Sequence, residues 1–450
     1  MMMNYKVICN LKRFYSSALY ITGDKAQKTY VVLNPVIDFE KHLTKPDKLL
    51  KNIEARGLPI NVDAIVKKWI FFQDILNRKQ TLDQTRQDIF QNISQLLKKQ
   101  EVDQMEVDKW RLHAKIVKDD LKHLKDSYYD VEGSTILQIL GLPNDLHNKT
   151  PFVKKNVVCT HSIKPTNSSL NNIDIGIRNG YLKYLDPFTC YLKSDAALLE
   201  LSILEYFKRK LIKLGYLLFS NPNVCRTIIV EGEEICSGRD KVLTIDEQDR
   251  DDDNLNRLHL CGSGTLKSFM VYFARHIVNQ VVLPLKYFSL GRIYQPIRTN
   301  CDSSLLNLSQ QSVINIFQAD LEENREDLDG FIELISNIYG ILGVHYRIVI
   351  LPANQIEKAE SLRISIEMYS NFREEYIEVG NISFYDNYIS KRLLFTYSCN
   401  KVRKYPKIIA GQILNFHKFL GCVMENITSD SENLLHVFLK EKINRLNSVV

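Results

Sequence analysis

The stretch VDKWRLHAKIVKDDLKHLKDSYYDV, residues 107–131, carries the pattern that decides the fold of the N-terminal part of the chain. Its apolar side chains recur at alternating three- and four-residue steps, at Val107, Trp110, Ala114, Val117, Leu121, Leu124, Tyr128 and Val131. A heptad repeat of this kind is typical of a helix that packs along its whole length against another helix. The sequence therefore predicts one long helix of a coiled coil.

A partner helix is predicted immediately upstream. Asn61 is a suitable N-cap, and no Pro or Gly occurs between Asn61 and Val131. The expected seam of this helix is Val62, Ile65, Trp69, Phe72, Leu76, Lys79, Asp83, Arg86, Phe90, Ile93 and Leu97. The polar run KKQEVDQME, residues 98–106, predicts the hairpin tip. We therefore expect an antiparallel hairpin over about residues 61–131, a projecting arm about 60 Å long.

The outward positions of the second helix are rich in basic residues. They include Lys109, Arg111, Lys115, Lys118 and Lys122. Charged outer positions are usual for a coiled coil in water, and they also suit contact with nucleic-acid phosphates. Both interpretations, a solvated surface and a nucleic-acid-binding face, stay open at this point.

Composition limits the class of protein. The 450 residues are 45% hydrophobic and 25% charged, which is typical of a folded chain of two or three domains. The net charge of +6 permits nucleic-acid contact without requiring it. Nine cysteines without a CxxC pair predict reduced thiols and no zinc site. No apolar run approaches the roughly 18 residues that a membrane span needs, so no membrane partner is predicted.

The first 23 residues have the character of a mitochondrial transit peptide. They contain Lys6, Lys12 and Arg13, and no acidic residue precedes Asp24. A basic, acid-free and Ser-containing start is typical of import signals. The sequence around Arg13 resembles a matrix-protease site, with cleavage between Tyr15 and Ser16. We therefore predict residues 1–23 as a transit peptide and a location in the mitochondrial matrix.

The rest of the chain predicts an α+β protein. We place an N-terminal domain at 24–143, a polar, Asn-rich linker at 144–180 and a globular core at 181–450. Expected core elements are strands at 226–231, 346–351 and 391–399, and helices at 196–214 and 327–342. Because no regular βαβ rhythm appears, an antiparallel sheet flanked by helices is the expected architecture.

A search for catalytic motifs finds none of the familiar ones. No GxGxxG, GxxxxGK[ST], HExxH or GxSxG occurs. Residues 262–265 are glycine-rich but lack the Lys-Ser/Thr of a phosphate loop, and the acidic run 246–253 is interpreted as a solvated loop. His276, His345 and His417 do not cluster. No metal ligand and no cofactor are predicted.

Six segments together resemble class II seryl-tRNA synthetases over nearly the whole chain. They are 38–67 (entry to the arm), 136–145 (arm-to-core junction), 190–226 (motif one), 283–297 (motif two), 378–397 (the strand before motif three) and 423–426 (the end of motif three). The resemblance implies a coiled-coil arm followed by a class II synthetase-like core. It also implies a dimer interface at motif one, to which we assign Leu199, Ile203, Tyr206 and Pro222.

The same resemblance implies that the reactive positions have been replaced. The family's Thr-x-Glu loop falls on Ser263, Gly264 and Thr265, and its motif-two Arg and Glu fall on Gln295 and Ile297. The later motif-two Glu falls on Gln318, and the motif-three Arg falls on Lys418. The degenerate positions are therefore Ser263, Thr265, Gln295, Ile297, Gln318 and Lys418. Lysine does not reproduce a bidentate guanidinium, so the resemblance is to a catalytically inactive paralogue.

Three functional hypotheses follow. The first is a non-catalytic mitochondrial protein that forms a heterodimer with the genuine mitochondrial seryl-tRNA synthetase and supports charging of tRNA-Ser. The second is a stand-alone nucleic-acid-binding or regulatory protein concerned with mitochondrial DNA or RNA. The third is a divergent enzyme that activates serine or another small acid, which requires a surviving ATP site.

Overall fold

A computed structural model describes residues 17–22, 33–43, 45–98, 104–162, 170–234, 242–245, 255–297, 302–324 and 327–426. The chain divides into two compact units. The first contains Ile37–Pro46, Pro59–Leu142 and the described residues before position 33. The second contains Leu33–Val36, Asp47–Leu58 and the described residues from Pro143 onward.

The elements are numbered in chain order. The helices are α1 (Phe39–Leu43), α2 (Pro46–Arg56), α3 (Val62–Leu96), α4 (Gln104–Leu140), α5 (Asn172–Arg178), α6 (Ser194–Lys213), α7 (Thr227–Glu233), α8 (Leu266–Phe273), α9 (Leu328–Tyr339), α10 (Tyr388–Leu393) and α11 (Phe416–Glu425). The strands are β1 (Asn156–His161), β2 (Leu182–Asp186), β3 (Thr189–Leu192), β4 (Leu217–Leu218), β5 (Val224–Arg226), β6 (Leu243–Thr244), β7 (Leu258–Leu260), β8 (Ile277–Asn279), β9 (Leu285–Tyr294), β10 (Gln310–Asp320), β11 (Tyr346–Ile350), β12 (Leu362–Ser370), β13 (Glu375–Asp386), β14 (Thr396–Cys399), β15 (Val402–Lys404) and β16 (Lys407–Asn415). None of the helices in the described ranges combines the length and the apolar content that a membrane span requires.

The first unit contains the two long helices, α3 and α4, packed against each other. The side chain of Asn61 caps α3 by accepting a hydrogen bond of 3.0 Å from the amide of Ala64. Helix α4 continues through Gly133 to Leu140, whereas the sequence pattern predicted an end near Gly133. A single helical glycine costs only about 1 kcal/mol, and the buried Ile136 and Ile139 beyond it compensate for that cost.

The predicted seam of α3 is correct in its first half and wrong in its second. Ile65 and Phe72 are buried as expected. Further along, Ile89 is 2% exposed whereas its neighbour Phe90 is 59% exposed. Leu96 is likewise buried and Leu97 exposed. The seam is therefore shifted by one residue, because the polar stretch between the two halves provides no apolar residue that fixes the phase.

The second unit contains an eight-stranded sheet with the order β1-β11-β12-β13-β16-β10-β9-β4. Its strand pairs are antiparallel except for β4 with β9. One face carries alternating apolar residues, including Ile314, Ile364 and Ile382, which join side chains of α5, α6, α9 and α11 in one core. Period-two alternation sends the intervening residues to the opposite face. An α+β core with an antiparallel sheet is thus confirmed.

Several sequence-based assignments need correction. Residues 144–180 are not simply a linker, because they contain α5 and also β1, which pairs with β11 at the edge of the sheet. The predicted strand 226–231 is mostly helix α7, and the predicted strand 391–399 begins inside α10. A short, fully buried apolar run has the same composition in a strand and in a helix, so periodicity does not separate the two.

The predicted transit peptide lies outside the described residues except at 17–22. Ser17, Ala18 and Leu19 are buried. The interval 1–23 therefore extends into residues that belong to the folded N-terminal unit.

Candidate active-site face of the sheet

The second face of the sheet is lined by polar side chains at successive strands. Register pairs Asn315 on β10 with Ser289 on β9 and with Gln412 on β16. Further along the sheet, Ser365 on β12 pairs with Asn381 on β13. Cross-strand partners share a face, so these residues form a polar surface opposite the apolar core.

A glycine-rich loop, residues 262–265, is fastened to this face through its backbone. The Ser263 carbonyl accepts hydrogen bonds from Ser289 Oγ at 3.0 Å and from Asn221 Nδ2 at 3.2 Å. The Gly264 carbonyl accepts one from Asn315 Nδ2 at 3.1 Å. Gly262 has φ +89° and lies so close to the next strand that a Cβ would be 2.0 Å from the Arg292 carbonyl oxygen, so only glycine fits there.

The Thr265 hydroxyl makes hydrogen bonds to backbone groups of the loop and of α8. Its Oγ1 donates to the Gly262 carbonyl at 3.0 Å and accepts from the Ser268 amide at 3.3 Å, which caps α8. Helix α8 is then held over the sheet by Phe273, whose ring stacks on Phe317 at 4.9 Å. No carboxylate takes part in the hydrogen bonds that shape this loop. The Thr265 hydroxyl is used to cap α8.

Gln295 and Ile297 lie at the end of β9 and just beyond it. The Gln295 side chain donates from Nε2 to the Leu308 carbonyl at 3.2 Å. The Ser309 hydroxyl donates to the Gln295 carbonyl at 2.8 Å, and Ile297 is half-buried. These contacts hold β9 against β10 and place no charge on the polar face.

The prediction that Gln318 is a degenerate site position is wrong. Gln318 lies three residues after Asn315 on the same strand, so its side chain points to the opposite face. There its Oε1 accepts a hydrogen bond of 3.3 Å from the Tyr216 hydroxyl. Asn315 is the residue of β10 that faces the loop, and its Oδ1 is buried without a hydrogen-bond partner. Asn315 can be identified from the two-residue alternation of side chains along β10, once the register of the strand is known. Matching of motifs does not take this alternation into account.

A buried ionic cluster occupies the other end of the polar face. Arg363 on β12 donates from Nε to Glu378 Oε2 at 3.1 Å, and its Nη2 bonds to Glu378 Oε1. Its Nη1 donates to Glu360 Oε1 at 2.9 Å. Ser365 Oγ donates to Glu378 Oε2 at 2.8 Å and Ser383 Oγ donates to Glu360 Oε1 at 2.6 Å. One guanidinium therefore joins two carboxylates that hydroxyl groups hold in place.

Charges within this cluster balance one another. Burial raises the pKa of Glu378, but Arg363 and then Lys418 outweigh it, and the pKa lies below its usual value. Burial lowers the pKa of Lys418, which Glu378 partly offsets. The pKa of Arg363 is raised, since attraction to Glu378 and Glu360 exceeds its desolvation cost. Both oxygens of Glu378 are thus occupied by a cation of the chain itself.

No group of three or more His, Cys, Asp or Glu side chains that could hold a metal ion occurs among the described residues. A divalent ion binds carboxylate oxygens that are free to coordinate it. An ion at Glu378 would first have to displace the Arg363 guanidinium.

Comparison with known proteins agrees with this architecture. The chain aligns with the seryl-tRNA synthetase of Pyrococcus horikoshii complexed with ATP at a TM-score of 0.76, with 16% identity over 90% of this chain and 98% of that one. The cytoplasmic serine-tRNA ligase of Naegleria fowleri in complex with AMP gives a TM-score of 0.73, with 14% identity over 90% and 95% of the two chains. The chain has the seryl-tRNA synthetase fold.

Sequence comparison points in the same direction. The serine-tRNA synthetase-like protein Slimp of Drosophila melanogaster is 27% identical over 91% of this chain and 89% of that protein. The mitochondrial serine-tRNA ligase of Mus musculus is 23% identical over 80% of this chain and 73% of the ligase. No protein-family model matches the sequence.

Within this synthetase fold, three of the four residues predicted for the dimer interface are core residues. Leu199, Ile203 and Tyr206 on α6 are buried, and the Tyr206 hydroxyl donates to the Ile338 carbonyl at 2.8 Å. Pro222 is exposed. The outward face of α6 instead presents Leu198, 55% exposed, and Leu201, 67% exposed. The helix predicted at 196–214 is confirmed as α6, but three of the side chains assigned to an interface lie on its inward face.

The basic residues predicted on α4 are all exposed. Arg111, Lys115, Lys118 and Lys122 follow one another at steps of four, three and four residues, which places them on one stripe of the helix. Lys109 lies about 160° around the helix from Arg111. The stripe therefore contains four of the five predicted residues, and Arg111 also contacts Asp108 at 3.4 Å.

Proposed function

We propose that this chain is a non-catalytic seryl-tRNA synthetase paralogue of the mitochondrial matrix, which pairs with the genuine mitochondrial seryl-tRNA synthetase and supports the charging of tRNA-Ser. The observation that carries the proposal is the closure of the polar face by the Arg363 cluster, in a fold whose reactive positions have been replaced. The likeness to Slimp and to mitochondrial serine-tRNA ligases supports the same conclusion.

Physical chemistry explains the inactivity. Activation of an amino acid by ATP requires preorganised cations on the phosphates and carboxylates that orient the amino group and the metal. At the equivalent places this chain offers the uncharged Gln295, Asn315 and Thr265, and a glutamate held by Arg363. Loss of a single such electrostatic contact typically reduces the rate by a factor of about 10²–10³, so their combined loss abolishes activity.

Catalysis is tested by serine-dependent ATP–pyrophosphate exchange with the full chain. We expect no exchange, and none from a Gln295→Arg/Lys418→Arg double variant either, because the glutamates expected at Thr265 and Ile297 remain absent. The mouse mitochondrial ligase under the same conditions is the positive control. Serine-dependent exchange by the unmodified chain would refute the proposed inactivity.

An exposed apolar surface supports the pairing. Leu198 and Leu201 are exposed on α6, and Leu185, Phe188 and Tyr191, 56–65% exposed, lie on the β2–β3 hairpin that directly precedes it. Large apolar side chains grouped on a surface mark contact sites for other proteins. A second synthetase subunit of the same fold, presenting its own motif-one helix, is the partner that fits this proposal.

Co-expression with the mitochondrial seryl-tRNA synthetase, followed by size-exclusion chromatography and light scattering, tests the pairing. We expect a one-to-one heterodimer that a Leu198→Asp/Leu201→Asp variant no longer forms. Leu112→Asp is the matched control, since Leu112 is also exposed but lies on α4. Recovery of the chain free of synthetase, or an unaffected complex in the double variant, would overturn the pairing.

The second candidate function, nucleic-acid binding without the synthetase, is favoured by the basic stripe on α4. We expect Lys115→Gln/Lys118→Gln/Lys122→Gln to weaken binding of mitochondrial tRNA-Ser and to flatten its salt dependence, whereas Lys109→Gln leaves both nearly unchanged. Fluorescence anisotropy over a salt series measures both quantities. Binding that persists without the synthetase and extends equally to mitochondrial DNA would favour the second candidate over the first.

A further inference from the structure

A cavity of about 430 Å³ lies on the apolar side of the sheet, away from the Arg363 cluster. It is enclosed by the β2–β3 hairpin, the first turns of α6, the ends of β9 and β10, and the start of α11. Its size falls within the range of small-molecule sites. The proposed pairing involves only its rim, where Phe188 and Tyr191 are exposed.

An acid, a guanidinium and an imidazole line this cavity: Glu200, Arg292 and His417. The Glu200 carboxylate is held by a hydrogen bond from the Ser312 hydroxyl. His417 is 8% exposed, and its Nδ1 accepts a hydrogen bond of 3.1 Å from the Ser312 amide. One residue of β10 therefore positions both the acid and the imidazole.

The protonation state of His417 follows from these contacts. An Nδ1 that accepts from a backbone amide leaves the proton of the neutral ring on Nε2. Burial, and then the positive charge of Arg292, lowers the pKa of His417 to about 4, so the ring is neutral at physiological pH. The cavity wall thus carries an N–H donor, and no hydrogen bond from Nε2 to any described residue occupies it.

Glu200 and Arg292 line the same cavity without forming an ion pair with each other or with another described residue. Opposite charges that contact one cavity and remain apart leave room for a ligand that carries both charges. The wall also contains the apolar side chains of Phe188, Leu192 and Leu308, together with Thr189, Tyr191 and Gln310. This combination of groups selects a zwitterion with an apolar body.

We propose that this cavity binds a free α-amino acid with an apolar side chain. The carboxylate is bound by the Arg292 guanidinium and the His417 Nε2–H, and the ammonium is bound by Glu200. Charge-assisted contacts of this kind are the strong hydrogen bonds of proteins, and the side chain lies against Phe188, Leu192 and Leu308. The site is on the opposite face from the degenerate loop, so it does not depend on the proposed function.

Isothermal titration calorimetry of the full chain with L-leucine, L-methionine and L-phenylalanine tests the site, with L-serine as the comparison ligand. We expect saturable binding of at least one apolar amino acid and weaker binding of serine. Arg292→Gln and Glu200→Gln should each weaken binding by about 10- to 100-fold, the usual effect of losing a hydrogen bond to a charged group. Arg178→Gln, which removes an exposed arginine elsewhere in the second unit, should have no effect.

Two compounds that each carry only one of the charged groups of leucine test the two sets of contacts separately. 4-Methylpentanoate retains the carboxylate of leucine, and its weak binding should depend on Arg292 and His417 and not on Glu200. 3-Methylbutylamine retains the ammonium and should depend on Glu200 alone. Absence of binding by all three amino acids overturns the proposal, as does binding that neither variant weakens. Because Arg292 is exposed, its variant is expected to fold even where the Glu200 variant loses stability through Ser312.

Discussion

A single guanidinium group, that of Arg363, forms ion pairs with both carboxylates of the cluster. This guanidinium is the counter-ion of Glu360, whose side chain is 2% exposed, and of Glu378, whose side chain is 25% exposed. Removing one partner of a buried pair leaves an uncompensated charge, which is more costly than the pair itself is stabilising. The cluster is therefore a structural requirement of the chain as well as an obstacle to a metal ion.

Arg363→Met should lower the free energy of unfolding by about 3–5 kcal/mol, because Glu360 remains buried without its cation and Glu378 keeps only the charge of Lys418. Urea denaturation at neutral pH measures the loss. Arg178→Gln, at an exposed position, should stay within about 0.5 kcal/mol of the unmodified chain. If the Arg363 variant also stayed within about 0.5 kcal/mol of the unmodified chain, the cluster would not stabilise this face of the sheet.

The pH dependence of stability tests the same cluster through Glu378. Its pKa is lowered in the folded chain, so its stabilising contribution is present above the unfolded pKa of about 4.3 and is lost as the pH falls below it. In Arg363→Met, the group that lowers the pKa of Glu378 most is removed while burial and Lys418 remain, so the pKa of Glu378 is higher than in the unmodified chain. The difference in unfolding free energy between the two proteins should therefore shrink as the pH is lowered from 7 to 4. A constant difference would contradict the assigned charges.

At the scale of elements, the sequence predicted the hairpin, α6 and α9 because each has a long run of regularly spaced apolar residues. It did not predict α7, which is buried on all sides, or β1, in which the adjacent Val157 and Val158 are both exposed and no period-two alternation occurs. In the site, motif matching chose Gln318, although strand alternation selects Asn315. Local spacing determines which element forms, whereas the face that each residue occupies depends on partners distant in sequence.

The corrected phase of α3 predicts a contrast between adjacent residues. Ile89→Ala should destabilise the arm by about 2–4 kcal/mol, since it removes a buried side chain from the seam. Phe90→Ala should change stability by less than about 0.5 kcal/mol, because Phe90 is exposed. Circular dichroism of the full chain during thermal unfolding measures both. Equal effects of the two substitutions would contradict the shifted phase of α3.

At the scale of the whole molecule, the proposed inactivity separates the fold of a synthetase from its chemistry, and ligand-linked stability tests this proposal. A ligand raises the unfolding midpoint only if it binds the folded state. ATP with Mg²⁺ should therefore leave the Tm of this chain unchanged, whereas it should raise the Tm of the mitochondrial seryl-tRNA synthetase. Mixing the two proteins should raise the Tm of this chain in proportion to complex formed. A rise with ATP and Mg²⁺ alone would mean that Arg363 yields to the metal, and that the nucleotide site survives despite the replaced residues.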